Sequence, residues 1–220
     1  MIVNSRYTTF MNSFSQELPP LLKAIEQEAL ADYVPIIRKE TQSLLRVMLA
    51  AVRPGRILEV GTATGFSSLL MAESAPDPVR ITTIENYKKR IPIARENFRR
   101  AGRSDEITLL EGDAADVLKT LTEPYDFIFM DAAKGQYLSF LDDIMRLLAP
   151  GGMLISDNVL QDGDIIESRY AVARRNRTIH KRMREYLYTL THREDLDTCI
   201  LPSGDGVTIS VKKTAEKGRE

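Results

Sequence analysis

Short runs of apolar and β-branched residues alternate with longer amphipathic stretches over about residues 56–156. The runs lack a regular apolar–polar alternation, which is typical of strands covered on both faces. This order predicts a βαβ series, hence an α/β fold with a doubly wound, mostly parallel sheet. The predicted strands are residues 56–60, 80–85, 106–110, 125–130 and 152–156, and the predicted helices are residues 67–74, 87–101, 114–121 and 136–148.

The C-terminal part of the chain has a different pattern. Residues 197–201 and 207–211 are β-rich and flank Pro202-Ser-Gly-Asp-Gly206, a combination that predicts a hairpin. An antiparallel hairpin that closes a parallel sheet gives seven strands and restricts the fold considerably. The charged tail, residues 214–220, is expected to fray.

About 55 residues precede the first predicted strand, and their apolar residues repeat at helical spacing. The two stripes are Leu18, Leu21, Leu22 and Ile25, and Leu44, Leu45, Met48 and Leu49. We expect these helices to cover one side of the sheet. Residues 1–220 would then form one domain, with a helical cap over about 1–55 and a sheet core over about 56–213.

Composition excludes several classes of protein. The 220 residues are 43% hydrophobic, which suits a sizeable core, and the net charge of −1 gives no global preference for nucleic acid. The single cysteine, Cys199, excludes an internal disulfide framework. We find no signal peptide and no apolar run near the ~20 residues of a membrane span, so we expect a soluble cytoplasmic protein.

A glycine-containing loop, Glu59-Val-Gly-Thr-Ala-Thr-Gly65, follows the first predicted strand and opens a helix. Glycines such as Gly61 let the backbone approach a ligand closely at the carboxyl edge of the sheet. The loop is not a P-loop, and its spacing differs from that of dinucleotide-binding loops. Glu85 ends the second strand, where a carboxylate can accept both ribose hydroxyls. An NAD-dependent oxidoreductase therefore stays open as an alternative.

Other polar residues near this loop are further candidates for contact with a cofactor. Glu59 either binds a cationic amino acid group, directly or through water, or only caps a turn. Ser67 either donates to a cofactor carboxylate or caps the next helix. Asp113 and Ala114 follow the third strand, where the adenine edge is expected.

Three oxygen-bearing side chains follow two of the predicted strands. Asp131 ends the fourth strand, and Asp157 and Asn158 follow the fifth. If these strands are neighbours, the three converge at one edge of the sheet. Oxygen donors without Cys or His suit Mg²⁺, or else Mn²⁺ or Ca²⁺. The alternative is that the two aspartates only cap helices or turns. Lys134 is a candidate general base, a substrate-holding cation or a solvated loop residue.

Taken together, Glu59–Ser67, Glu85, Phe129-Met-Asp-Ala-Ala-Lys134 and Ser156-Asp-Asn158 resemble the metal-dependent O-methyltransferases related to catechol and caffeoyl-CoA O-methyltransferases. The resemblance extends over about residues 36–211. It implies a Rossmann-like class I methyltransferase fold, S-adenosylmethionine as cofactor and a metal held by the three oxygen donors. It also implies Lys134 as the base, a backbone contact of the cofactor with Ile37, and a homodimer for which the N-terminal helices are candidate contacts.

The segment from Arg169 to Arg184 contains seven Lys and Arg residues and no acidic residue. As one helix it would place Arg174, Arg177, Lys181 and Arg184 on one face, opposite an apolar face. Such a stripe is either a solvated surface, a site for nucleic-acid phosphates or a site for a coenzyme A phosphate. His180 and His192 are expected at the surface, and Cys199 is expected to be buried.

The whole pattern resembles the bacterial tRNA 5-hydroxyuridine methyltransferases, and the basic segment favours them within the wider family. This resemblance implies methylation of the wobble nucleoside to 5-methoxyuridine, with the basic residues and Lys134 binding tRNA. A small-molecule catechol or phenylpropanoid O-methyltransferase has the same catalytic motifs and stays an alternative, as does a non-catalytic protein that binds the cofactor.

Overall fold

The computed structural model describes residues 2–214, except for the side chain of Lys134. The tail expected to fray lies outside these residues, apart from Thr214. A seven-stranded sheet forms the centre of the molecule, with the strand order β3-β2-β1-β4-β5-β7-β6. The strands are β1 Arg56–Val60, β2 Arg80–Glu85, β3 Ile107–Glu111, β4 Tyr125–Met130, β5 Leu148–Ser156, β6 Leu196–Leu201 and β7 Val207–Lys212.

The first five strands are parallel, and β7 pairs antiparallel with β5 on one side and with β6 on the other. The predicted parallel sheet and its closing hairpin are therefore confirmed. The chain runs from β1 through β2 to β3 on one side of the sheet and then crosses to β4 on the other side of β1, so the strand order reverses between β1 and β4. Ligands of open α/β sheets bind at such a switch point, outside the carboxyl ends of the strands.

Helices cover both faces of the sheet. The helices are α1 Ser5–Asn12, α2 Pro20–Ala31, α3 Lys39–Val52, α4 Phe66–Ser74, α5 Ile91–Arg100, α6 Ala114–Thr120, α7 Tyr137–Leu147 and α8 Arg177–His192. One apolar cluster joins the sheet to α2–α5, and a second joins it to α6–α8. Leu22 and Ile25 of α2 and Leu45 and Leu49 of α3 are buried in the first cluster, as the two stripes predict. None of these helices, within the described chain, has the length and apolarity of a membrane span.

The basic segment is not one continuous helix, so this part of the prediction is wrong. Residues 168–173 form a turn, a short 3-10 helix spans Arg174–Asn176, and α8 begins only at Arg177. Ile165 and Val172 are buried on either side of this turn. Their burial holds the chain against the fold on both sides of the turn.

Two further expectations are wrong. His180 is buried, because it lies on the inner face of α8 and its Nε2 is 3.0 Å from the carbonyl oxygen of Glu167. Cys199 is exposed, because β6 is the edge strand and Cys199 lies on its open face. His192 is at the surface, as expected, and stacks on Tyr188.

Candidate active site at the carboxyl edge of the sheet

A cleft of about 520 Å³ lies at the switch point, where β1, β2, β4 and β5 end. The loop before α3 closes it on one side and the short turn after β4 on the other. Seven residues predicted from the sequence line this cleft, namely Ile37, Gly61, Glu85, Ala114, Asp131, Asp157 and Asn158. The structure therefore brings the cofactor candidates and the three oxygen donors into one cavity.

Gly61 allows the loop after β1 to lie directly against the end of β4. Its φ of +108° is unfavourable for other residues, and a Cβ there would be 2.1 Å from the carbonyl oxygen of Asp131. The amide of Asp131 in turn donates to the carbonyl of Val60 at 3.0 Å. This close approach places the cofactor loop beside the first of the oxygen donors.

Glu85 shapes the neighbouring part of the cleft. Its carboxylate accepts hydrogen bonds from the amides of Ala63 at 2.8 Å, Asn86 at 2.9 Å and Tyr87 at 2.8 Å. These bonds tie the glycine loop to the end of β2 and fix the carboxylate at the wall of the cleft. A carboxylate has about four acceptor positions, so capacity is left for a ligand hydroxyl.

Asp113 has a different role from its neighbour Ala114. It is the N-cap of α6, where its side chain accepts from the amide of Ala115 at 2.9 Å. Asp113 does not line the cleft, whereas Ala114 does. Cofactor contact by Asp113 therefore stays a prediction, and the structure assigns this residue a capping function.

Glu59 is fully buried at the end of β1. Its Oε2 accepts hydrogen bonds from the hydroxyls of Ser68 and Thr83, while Oε1 has no partner among the described residues. Burial raises the pKa of Glu59 to about 7 and the charge of Asp131 adds to the rise, whereas the hydroxyls of Ser67, Ser68 and Thr83 lower it. An acceptor left open in this way fits the ammonium group of a cofactor.

Ser67 lies between Glu59 and solvent. It belongs to the first turn of α4 and lines a narrow recess of the cleft together with Gly61 and Asp131. Glu59 itself lines neither the cleft nor this recess, so its contact with a cofactor stays a prediction.

The three predicted metal-binding side chains lie together. Asp131 and Asp157 follow the paired ends of β4 and β5, because Met130 pairs with Ser156 in the parallel register. The side-chain Nδ2 of Asn158 donates to Oδ1 of Asp131 at 2.8 Å. The backbone amide of Asn158 donates to Oδ1 of Asp157 at 2.7 Å. Asn158 has a φ of +60°, a conformation that asparagine tolerates better than most residues and that turns its side chain back toward Asp131.

Asp157 is a buried carboxyl group close to other carboxylates, an environment that favours a bound cation. Its pKa is raised to about 7, chiefly by burial and also by the nearby charges of Asp131 and Asp205. Carboxylates held this close in a buried site repel one another unless a proton or a cation compensates. The donor set of two carboxylates and one amide fits a hard divalent ion, and turning the Asn158 amide would offer its oxygen instead of its nitrogen.

Tyr137 connects the ends of β4 and β5 by hydrogen bonds. Its hydroxyl donates to the carbonyl oxygen of Asp157 at 2.9 Å and accepts from the amide of Ala132 at 3.3 Å. The ring is completely buried and packs edge to face on Tyr186, with 5.5 Å between centroids. Tyr137 thus links the residues that follow Asp131 to the backbone of Asp157.

Two residues near Asp157 were missed by sequence reasoning. Thr41, in the first turn of α3, is buried, and its hydroxyl lowers the pKa of Asp157. Asp205, in the turn between β6 and β7, is buried and accepts a hydrogen bond from the amide of Asp162. The sequence signals were ordinary, a helix start for Thr41 and a hairpin turn for Asp205, and only the fold brings them to the site.

Lys134 begins a short 3-10 helix, Lys134–Gln136, directly after the loop that carries Asp131. Its side chain lies outside the described part of the structure, so its assignment as a base stays a prediction. Its backbone position at the rim of the cleft is compatible with that assignment, since Ala133 and Gln136 on either side line the cavity.

The predicted basic residues separate into two groups. Arg177 and Lys181 line a surface groove of about 750 Å³, together with Arg169 and Arg182, which were not in the predicted set. Arg184 is directed elsewhere and donates to the carbonyl oxygen of Ile165 at 2.9 Å. Arg174 is exposed in the 3-10 helix that precedes α8 and does not line the groove.

Comparison with known proteins gives a consistent result. A family model described as O-methyltransferase matches residues 12–213. The chain is 34% identical over 127 residues to a catechol O-methyltransferase of Niastella koreensis, a match that covers 56% of this chain and 58% of that protein. It is 31% identical over 175 residues to caffeoyl-CoA O-methyltransferase 1 of Eucalyptus globulus, covering 75% of this chain and 70% of the relative.

A solved structure agrees over nearly the whole length. The SAH-bound methyltransferase of Podospora anserina superimposes with a TM-score of 0.86 at 27% identity, covering 96% of this chain and 95% of that one. The family match, over residues 12–213, includes the three oxygen donors and the closing hairpin.

Proposed function

The chain belongs to the O-methyltransferase family, and on that premise we propose that it methylates 5-hydroxyuridine in tRNA, using S-adenosylmethionine and a divalent cation. The observation that carries the proposal is the convergence of Asp131, Asp157 and Asn158 in the cleft that also contains Gly61 and Glu85. The oxidoreductase alternative is set aside, because the family and the solved relative are methyltransferases.

The cofactor supplies a methyl group already activated on a sulfonium, so the protein needs no covalent intermediate. The residues of this chain bind and orient it. Glu85 would accept the ribose hydroxyls, and Gly61 and the backbone at Ile37 would contact the methionine part. Glu59 would hold the ammonium group of the cofactor, and Ser67 would donate to its carboxylate. Binding both reactants in one cleft aligns them, which can contribute several kcal/mol to the lowering of the barrier.

A divalent cation, when bound by Asp131, Asp157 and Asn158, lowers the pKa of a substrate hydroxyl and fixes its position. Three protein donors leave positions for a substrate with two oxygens on adjacent carbons, which both 5-hydroxyuracil and catechols provide. We assign Lys134 the removal of the hydroxyl proton as a base, or the electrostatic holding of the substrate. Mg²⁺ is the proposed ion, since the donors are all oxygens.

The basic groove beside the cleft favours tRNA as substrate over a small neutral catechol. Catechol O-methyltransferases share the reaction, and the comparisons fit a small-molecule substrate equally well. We therefore keep a catechol or phenylpropanoid as the second candidate. A tRNA substrate also implies that the protein works in the cytoplasm.

One transfer assay separates these substrates. Purified protein is incubated with labelled S-adenosylmethionine and hypomodified tRNA that carries 5-hydroxyuridine, or with catechol, each with and without a chelator. We expect label in the tRNA and its loss when the chelator is present. Transfer to catechol alone would contradict the tRNA substrate, and chelator-resistant transfer would contradict the metal.

The protein is further proposed to act as a homodimer through its N-terminal helices. Helix α1 has no buried residue, and Tyr7, Phe10 and Phe14 are more than half exposed. Tyr7 and Phe10 belong to α1 and Phe14 follows its end, and three exposed aromatic rings so close in the chain are uncommon on a monomer and typical of an interface. A second copy of the chain is the partner that the family resemblance implies.

A further inference from the structure

The basic groove is continuous with the reactive cleft. Gln136 lines both cavities, so the groove begins at the residue that forms this wall of the cleft. The rest of the groove is built from the turn after β4 and from the outer face of α8. The lining cations are Arg169, Arg177, Lys181 and Arg182, with the hydroxyls of Ser139 and Thr178 between them.

These four cations are not neutralised by the protein. Within residues 2–214, none of them forms a salt bridge with a carboxylate, although Glu185 also lines the groove. Arginines on other surfaces behave differently, since Arg99, Arg103, Arg146 and Arg193 each pair with an acidic side chain. A group of unpaired cations beside a cavity favours an anionic ligand.

Part of this surface is held rigidly in place. Arg182 donates from Nη1 to the carbonyl oxygen of Gly135 at 3.1 Å, which connects α8 to the turn at the rim of the cleft. Arg177 donates from Nε to the carbonyl oxygen of Val172 at 3.3 Å and fixes the preceding turn. The remaining hydrogens of both guanidinium groups stay available to a ligand, and Lys181 is exposed.

An aromatic residue is the sequence neighbour of one of the groove cations. Tyr170 directly follows Arg169 in the turn and is 87% exposed. A tyrosine with almost its whole ring in solvent gives little to the stability of the fold. Single-stranded RNA is bound by this combination, in which cations contact the phosphates and aromatic rings stack on unpaired bases.

We propose that the groove binds the phosphodiester backbone beside the target nucleotide of an unpaired RNA loop, and that Tyr170 stacks on a neighbouring base. The proposal rests on the function proposed above and assigns the part of the RNA that each surface contacts. The target base must leave its stack to reach the cleft, so the nucleotides next to it pass Gln136 and meet the cations. Arg169, Lys181 and Tyr170 are then specificity residues for RNA that take no part in methyl transfer.

The phosphate contacts are tested by RNA binding alone. The probe is a synthetic RNA hairpin with an anticodon-sized loop and ordinary uridine, titrated with the full chain at several salt concentrations. Replacing Arg169→Gln and Lys181→Gln together should weaken binding about tenfold and reduce the slope of log Kd against log salt by about 0.7 for each cation. The control, Lys23→Gln with Lys119→Gln, removes the same charge from α2 and α6 and should leave both values unchanged. Equal slopes in the two double variants would overturn the proposal.

The stacking contact is tested with a second pair of variants. Tyr170→Ala should weaken hairpin binding about tenfold, whereas Tyr170→Phe keeps the ring and should bind like the wild type. Tyr188→Ala removes another exposed ring of the same region and serves as the control. Full binding by Tyr170→Ala, or loss of binding by Tyr170→Phe, would contradict stacking.

Kinetics separate the failure of this inference from the failure of the proposed function. The groove variants should raise KM for 5-hydroxyuridine tRNA and leave kcat and the turnover of free 5-hydroxyuridine nucleoside unchanged. If the wild type binds the hairpin through these residues but methylates only catechols, the groove is confirmed and the proposed substrate is wrong. If tRNA is methylated and the variants match the control, or lose only binding of coenzyme A, the groove assignment is wrong.

Discussion

At the scale of single residues, burial has similar effects on two carboxyl groups of the site. Glu59 and Asp157 each have a pKa of about 7, and in both cases burial is the largest cause and the charge of Asp131 contributes. Each group therefore binds a proton more tightly in the folded protein than in the unfolded chain. A cationic ligand can take the place of that proton, the cofactor ammonium at Glu59 and a metal at Asp157.

Glu59 makes the stability of the ligand-free protein depend on pH. Its folded pKa is above its unfolded value, so its favourable contribution is complete below about pH 4.5 and is lost as the pH rises through about 7. The loss is roughly 3 kcal/mol in the free energy of unfolding. We expect Glu59→Gln to reduce this pH dependence and to weaken binding of S-adenosylmethionine, as measured by urea unfolding between about pH 5 and pH 8 and by calorimetric titration. Glu17→Gln, at an exposed position, is the control, and a pH profile of Glu59→Gln identical to the wild type would contradict the argument.

Asp157 provides a test of the metal site that does not depend on turnover. In the metal-free protein at about pH 8, Asp157→Asn removes a buried charge that faces Asp131 and Asp205, so we expect it to raise the free energy of unfolding by roughly 2 kcal/mol. The same variant should lose methyl transfer and the increase in Tm that Mg²⁺ gives the wild type. Thermal unfolding with Mg²⁺ or with a chelator measures both effects. The exposed Asp116→Asn should respond to Mg²⁺ like the wild type, and a full Mg²⁺ response in Asp157→Asn would exclude it as a ligand.

The residues of the site could be predicted from the sequence where they follow strands. Asp131, Asp157 and Glu85 come directly after or at the end of apolar runs, and parallel strands bring their carboxyl ends to one edge. Thr41 and Asp205 could not be predicted in this way, because their proximity to Asp157 depends on how α3 and the closing hairpin pack. The residues adjacent to Thr41 and Asp205 in the sequence do not indicate how these elements pack.

At the scale of elements, the closing hairpin supports the loop that follows β5. The amide of Val159 donates to the carbonyl of Gly206 and that of Leu160 to the carbonyl of Asp205, both at 2.9 Å. The turn between β6 and β7 therefore fixes the backbone of the residues directly after Asp157 and Asn158. Elements far apart in the sequence thus determine the position of the oxygen donors.

Gly206 is the most sensitive position of this contact. It has a φ of +86°, and a Cβ there would lie 2.3 Å from Cγ of Leu160. We expect Gly206→Ala to destabilise the protein by more than about 1 kcal/mol and to reduce activity, because Leu160 must move and shift the loop. Gly102→Ala is the matched control, since Gly102 also has a positive φ but no atom within 4 Å of the added carbon. Urea unfolding and the transfer assay measure stability and activity of both variants. Equal losses of stability in the two variants would mean that backbone strain, and not the contact with Leu160, causes the effect.

The element that the sequence predicted least well is the basic segment. Charge and periodicity indicated a helix from Arg169, whereas tertiary burial of Ile165 and Val172 imposes a turn before Arg177. The set of cations that share one surface therefore differs from the predicted set. Arg169 and Arg182 line the groove, whereas Arg174 and Arg184 do not. Helix α8, in contrast, follows the predicted pattern, because the packing of its apolar face against the fold fixes which residues are buried. These residues are Met183, Tyr186, Leu187 and Leu190.

At the scale of the whole molecule, a net charge of −1 conceals an uneven distribution of charge. Among residues 2–214, most arginines outside residues 169–184 pair with acidic side chains, whereas the four cations of the groove do not. Composition alone could not predict this arrangement, because it counts the charges without locating their partners. Interaction with RNA would therefore be local and strongly dependent on salt.

Assembly is the second property of the whole molecule that can be tested. If α1 forms the proposed dimer contact, Phe10→Glu with Phe14→Glu should convert the protein to a monomer, because two charges cannot be buried in an apolar contact at acceptable cost. Both rings are exposed in the single chain, so the fold should be retained. Light scattering coupled to size exclusion measures the mass, and Tyr188→Glu is an exposed-ring control on α8. A double variant that keeps the mass of the wild type would exclude this contact.

The position of β7 has a consequence for the synthesis of the protein. The strand formed latest in the sequence lies inside the sheet, between β5 and β6, and its preceding turn holds the loop that carries Asn158. A ribosome-bound chain that has emerged only as far as α8 lacks this support, so its oxygen donors are not yet in place. We therefore expect the nascent enzyme to be inactive until residues 205–212 have left the exit tunnel.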